Sequence, residues 1–149
     1  MKLDPERIFR IANSLGWKIQ FAPLNKNSLT YQNGTLTLAN IRPKDVALRP
    51  ASIAIEVVQV IAHEIGHYLA APPSRRHKKN YGIRRDPPRN PDYWDLDDMK
   101  ARLVERELMH ACGMKQHFPF VIQGRYQKPA TLWWEQEGKH LVAGLLLIK

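Results

Sequence analysis

The chain has 149 residues, 44% hydrophobic and 25% charged, with a formal net charge of +9. That length buries a core without covalent staples, and a single cysteine, Cys112, excludes an intrachain disulfide. The positive balance suits an acidic partner such as nucleic acid, but charge alone specifies neither fold nor activity.

The N-terminal MKLDPERIFRIA carries charges where a secretory leader needs an apolar run, and no window reaches the length of a membrane span. A single cytoplasmic domain over residues 1–149, without membrane contact, is therefore expected. Asp4-Pro5 reads as a helix cap followed by proline at the first helical position. Ile8, Phe9, Ile11, Ala12 and Leu15 then recur at helical spacing up to Gly16. Trp17, Ile19 and Phe21 alternate with polar residues, as a strand does. Leu29–Gln32 and Thr35–Leu38 flank Asn33-Gly34, the pair that a tight hairpin turn with two positive φ angles requires. Residues 40–50, with Pro43 and Pro50, form a loop that leads to Ser52, a cap for the next helix.

Residues 72–95, PPSRRHKKNYGIRRDPPRNPDYWD, hold seven Lys or Arg among prolines and show no periodicity. They read as a long exposed loop whose basic residues, with Tyr81, Tyr93 and Trp94 interleaved, suit a phosphate backbone. A solvated loop stiffened by proline accounts for the same composition. A helix follows from a cap at Asp95, with Asp97 and Asp98 in its first turn and Gly113 at its end. His117–Ile122 reads as a strand or an extended connection. Pro129–Ile148 reads as mostly helical, with Leu132, Trp133, Leu141, Leu145 and Ile148 available for the core, although Gly138 and Gly144 weaken the pattern. The tandem Trp133-Trp134 is assigned to the core rather than to an interface.

The chemistry lies in Val57–Ala71, VVQVIAHEIGHYLAA. His63-Glu64-Ile65-Gly66-His67 is an H-E-x-x-H motif, and on a helix residues four apart project from one face, so both imidazoles can grip one zinc ion. Glu64 lies beside that ion, where it can take a proton from metal-bound water. Two histidines on a helix are often merely polar residues satisfied by neighbours. Here the flanks are apolar almost all round, and two His and one Glu in such a helix are costly unless something pairs with them. Gly66, a poor helix former, points to close approach of another backbone.

A catalytic zinc takes three protein ligands. The places where an HExxHxxGxxH motif needs its glycine and third histidine hold Ala70 and Pro73, which leaves a carboxylate from a later helix. Asp98, Ala101, Glu105, Leu108 and Cys112 share one stripe of the helix after the basic loop. Glu105, between small and apolar neighbours, ranks first as ligand. Glu107 is second, and Asp98, shorter and already explained by the helix dipole, is third. The ordinary reading of all three is solvated surface charge.

A helix, a strand, a hairpin ending in NGTLTL, then VIAHEIGH and a downstream ERELMHAC together resemble the ImmA/IrrE family of gluzincin-like metallopeptidases over roughly residues 1–112. The resemblance implies a small α+β zincin-like fold: an N-terminal helix, a short antiparallel sheet with the Asn-Gly hairpin, a buried HExxH helix and following helices. It also implies zinc held by His63, His67 and a glutamate matched by Glu105, with Glu64 as general base acting on a protein substrate, often a regulatory repressor. Two departures stand out: Leu108 occupies a place where the family usually has a small residue, and the basic loop lengthens the gap after His67.

The expected activity is zinc-dependent hydrolysis of peptide bonds in a protein or peptide substrate. An extended substrate would pair with an open edge of Thr35–Leu38. Tyr68, Tyr81, His77 and His110 are candidate oxyanion donors, whereas His117 and His140 serve structure or surface. The alternative is a regulatory module in which the metal is structural and the basic loop grips nucleic acid or another partner.

Overall fold

The computed structural model describes residues 3–21, 30–38, 51–82, 96–114 and 126–148. Helix α1 spans Arg7–Ser14, and its Ile8, Ile11 and Ala12 are fully buried, the stripe that the spacing predicts. Asp4 does not cap it. The Asp4 carboxylate instead accepts a 2.7 Å bond from Arg10 Nη2, six residues further on.

Three short strands form a mixed sheet in the order β1-β3-β2: β1 is Lys18–Phe21, β2 Thr30–Gln32 and β3 Thr35–Leu38. Asn33 and Gly34 have φ of 47° and 80°, so the Asn-Gly pair makes the expected turn between β2 and β3. The sheet is not purely antiparallel, because β1 runs parallel to β3. A strand's hydrophobic alternation fixes which face it buries but not which neighbour it joins or in which direction. The same topology corrects the expectation of an open edge on Thr35–Leu38: β3 is the central strand, with β1 on one side and β2 on the other.

The long helix, α2, spans Ala51–Ala70, so it begins one residue ahead of Ser52. From Val57 to Ala70 none of its residues is exposed, in keeping with a sequence that is apolar all round. The chain after it does not form a wholly exposed loop. Residues 72–82 fold back as a strap, ending in a 3-10 turn over Lys79–Gly82 that packs on β2 and buries Tyr81. Residues 83–95, with Asp95, Tyr93 and Trp94, lie outside the described residues, as does the segment 117–122.

Helix α3, Leu96–Ala111, lies along α2 in the most extensive packing among the described elements. Helix α4, Gln127–Trp133, runs through a π turn, Trp134–Gly138, straight into helix α5, Lys139–Leu146. A Cβ at Gly138 would fall 2.6 Å from the Trp133 ring and 2.8 Å from the Trp134 ring, so glycine is what lets both indoles fold over the π turn. Trp133 and Leu145 are buried, and Trp134, Leu141 and Ile148 pack on the core from its rim. Leu132, expected inside, is 56% exposed: Ala130 and Trp133, three residues apart, hold the buried face of α4, and Leu132 projects about 100° away from Trp133. Arg7 ties the two ends of the chain together. Its guanidinium donates 3.0 Å bonds to the carbonyls of Ala111 and Leu146, placing positive charge at the C-termini of α3 and α5. Among the described residues, no helix is long and apolar enough to cross a membrane.

Candidate metal centre

Helices α2 and α3 cross at Gly66. A Cβ there would meet the backbone of Ala101, 2.5 Å from its carbonyl oxygen and 2.6 Å from its Cα, so only glycine permits this approach. Around the crossing, Gln59, His63 and His67 follow one another up α2 at four-residue steps. Their partners descend α3, from Glu105 beside Gln59 to Asp98 beside His67. The helices are therefore antiparallel here. The stripe of Asp98, Ala101, Glu105, Leu108 and Cys112 is the one that faces α2, and its last four members are all buried.

Three donor atoms converge above the crossing. His63 Nε2 lies 3.0 Å from Asp98 Oδ1 and 3.1 Å from His67 Nε2, and the third side of the triangle, His67 Nε2 to Asp98 Oδ1, is 3.3 Å. Zinc–ligand distances of about 2.0–2.1 Å put the vertices of a regular tetrahedron about 3.3–3.4 Å apart. The triangle is thus one tetrahedral face drawn slightly tight, with the donor set that a zinc or similar divalent cation prefers. This fit rests on the three atoms alone, and it makes His63, His67 and Asp98 a group that can hold a metal ion.

Glu105, ranked first from the sequence, reaches the other side of the ring. Its Oε1 lies 2.9 Å from His63 Nδ1, and its Oε2 accepts a 3.3 Å bond from Gln59 Nε2. The contact to Nδ1 is close but off the line of a well-aligned hydrogen bond. Asp98 and Glu105 are seven residues apart, about 10 Å along the axis, and they meet the His63 ring on opposite sides. Asp98 thus stands on the Nε2 side of His63 and Glu105 on the Nδ1 side. Glu107 is remote from the centre, half-buried with its carboxylate 3.5 Å from Arg106 Nε.

Charge and burial compete at His63 and Asp98. Burial favours the neutral form of His63, but the carboxylates of Asp98 and Glu105 outweigh it and push the imidazolium up to about 9. Burial likewise opposes ionisation of Asp98, and His63 and His67 outweigh it, holding the carboxyl well below its ordinary range. Arg102 Nε, 3.5 Å from Asp98 Oδ2, adds positive charge on the same helix face.

Glu64, nine-tenths buried, accepts a 2.7 Å bond on Oε2 from the Tyr81 hydroxyl. Burial, and then the Glu64 charge, push the Tyr81 phenol well above 10, so Tyr81 is the donor. The Tyr81 ring is stacked at 15° on Tyr31, 4.3 Å between centroids, and at 15° on His67, 5.7 Å away. Its backbone has φ of 59°, following Asn80 at 48°, two successive left-handed residues that only surrounding contacts can hold. Arg75 Nη1 donates to the Tyr81 carbonyl at 3.1 Å, Tyr31 N to Asn80 Oδ1 at 3.4 Å, and Asn33 N to the His77 carbonyl at 2.9 Å. The tyrosine itself was within reach of sequence reasoning; its bond to Glu64 was not, because no local pattern shows a strap folding back over the helix it has just left.

Of the other expected donors, Tyr68 packs edge-on against Trp17 with the Arg76 guanidinium 5.6 Å over its ring, and His77 and His110 are exposed. His140 is also exposed. Two basic residues of the strap are committed to the fold. Arg76 donates to the carbonyls of Ala71 and Leu69 at the end of α2, and Arg75 pairs with Asp97 at 3.8 Å besides holding Tyr81. Compared with protein-family models, with curated proteins and with solved structures, the chain matches none of them.

Proposed function

We propose that this chain is a zinc-dependent peptidase of zincin type in which His63, His67 and Asp98 hold the metal and Glu64 is the general base. The observation that carries the reading is the tetrahedral face of His63 Nε2, His67 Nε2 and Asp98 Oδ1 on the same helix turn as Glu64. When bound, zinc supplies a Lewis acid that polarises the scissile carbonyl and brings the pKa of water to about 7.

The protein's own groups supply the rest. Glu64 takes a proton from the attacking water and delivers it to the leaving amine. Glu105, itself held by Gln59, keeps His63 turned so that Nε2 faces inward. The apolar flanks of α2, with Ile61, Ala62 and Ile65 fully buried, exclude bulk water and strengthen each of these interactions. The resemblance to ImmA/IrrE peptidases supports a protein substrate of regulatory kind, with Asp98 in the role that the family gives to a glutamate.

The test is cleavage of an unfolded protein such as casein by zinc-loaded wild type and by Glu64→Gln. Cleavage by the wild type alone, at equal zinc content, is expected. Equal cleavage by the variant, or none by the wild type, would refute the reading.

A further inference from the structure

The Tyr81–Glu64 bond goes beyond the motif, and a role for it in turnover rests on the peptidase reading of the site. Tyr81 is reached through 14 residues of chain after His67, and its backbone sits in a left-handed conformation that a non-glycine residue holds only against strain. Three separate contacts, from Arg75, from β2 through Asn80, and from Asn33 through His77, hold the strap against that strain. An aromatic ring placed only to fill space would need neither the strain nor a hydroxyl. The hydroxyl is aimed at one carboxylate oxygen, Glu64 Oε2, at 2.7 Å.

We propose that Tyr81 is a positioning residue for the catalytic base, fixing the Glu64 carboxylate through Oε2 so that Oε1 is the oxygen presented to water. The Tyr81 ring also stacks on His67, so one side chain sets the base and one metal ligand in register. Tyr81 does not touch the reacting atoms. It reduces the rotations left to Glu64, and the gain appears in turnover rather than in substrate binding.

The experiment is Tyr81→Phe, which keeps the ring stack and removes only the oxygen. With zinc-loaded protein and an unfolded protein substrate, kcat is expected to fall about 10- to 100-fold with KM within about threefold of wild type, at unchanged zinc content. A readout independent of turnover is the thermal midpoint in a double-mutant cycle. Tyr81→Phe should lower it by several degrees in the wild-type background and by less than half as much in Glu64→Gln, where the charge-assisted bond is already gone. Asn80→Ala, which keeps the phenol but loosens its seat, should lower kcat in the same direction by a smaller factor, and it stands as the test if Tyr81→Phe does not fold. A structural role alone would lower the midpoint equally in both backgrounds and leave kcat untouched, and that result overturns the proposal while the peptidase reading stands. Absence of turnover by the wild type itself would defeat the peptidase reading, and the positioning role would fall with it.

Discussion

Gly66→Ala separates two physical effects of opposite sign. In an exposed helix, alanine for glycine is favourable by about 1 kcal/mol through helix propensity. At this crossing the new methyl would sit 2.5 Å from the Ala101 carbonyl oxygen, 2.6 Å from its Cα and 2.9 Å from its carbonyl carbon, all backbone atoms with no rotamer to yield. Ordinary carbon contacts are about 3.5–4.0 Å, so α2 and α3 must part by roughly 1 Å. Overpacking of this kind costs about 1–3 kcal/mol, and against a rigid backbone the upper end applies, leaving a net loss of about 1–2 kcal/mol. For a chain of this size that is a fall of about 2–8 °C in Tm. The functional effect is larger, because the same parting carries Asp98 away from His63 and His67, whose donor atoms lie within 3.3 Å of one another. Zinc affinity, measured by competition with a chromophoric chelator, is expected to drop at least tenfold. A variant with raised Tm and wild-type zinc affinity would refute the claim that Gly66 sets the helix spacing on which the site depends.

The two carboxylates of the stripe should part company in zinc affinity. Asp98→Asn is expected to abolish tight binding, and Glu105→Gln to weaken it by about 10- to 100-fold, as for partners that orient metal-binding histidines. Metal-free protein should have its thermal midpoint highest between about pH 4 and 6.5. The raised imidazolium of His63 gives stability present below its ordinary 6.5 and lost as the pH rises through about 9. The depressed carboxyl of Asp98 gives stability present above its ordinary 3.8 and lost on acidification. His63→Ala should lack the alkaline fall, and zinc should flatten it in the wild type; a metal-free midpoint that rises from pH 6.5 to 9 would contradict the ion-pair assignment. Arg7→Met, which removes two charged bonds to helix-end carbonyls, is expected to cost about 2–4 kcal/mol by denaturant unfolding, with zinc affinity little changed.

Much of the frame was legible because it is local. The spacing of Ile8, Ile11 and Ala12, the Asn33-Gly34 turn, the apolar girth of α2 and the helix at 96–111 each follow from residues within a few positions of one another. Gly66 announced a close approach before its neighbour was known, and Ala101 proved to be that neighbour. The stripe carrying Asp98 and Glu105 was also visible. What could not be read was where along the stripe the imidazoles fall, since that depends on the antiparallel crossing and on seven residues' worth of helix rise. Asp98 ranks third from the sequence because the helix dipole already accounts for it, yet a first-turn aspartate can also face a neighbouring helix, as its contacts with His63 and His67 show. The parallel pairing of β1 and the folding of the strap over β2 are tertiary choices without a local signature.

The central claim, a metal held by His63, His67 and Asp98, is tested most directly by zinc content after exhaustive dialysis, compared across wild type, His63→Ala, Asp98→Ala and Glu105→Ala. The account predicts about one zinc per chain in wild type, none in His63→Ala or Asp98→Ala, and retained but more weakly held zinc in Glu105→Ala. Zinc kept in Asp98→Ala and lost in Glu105→Ala, or a wild type that takes up no zinc when it is offered, would contradict it.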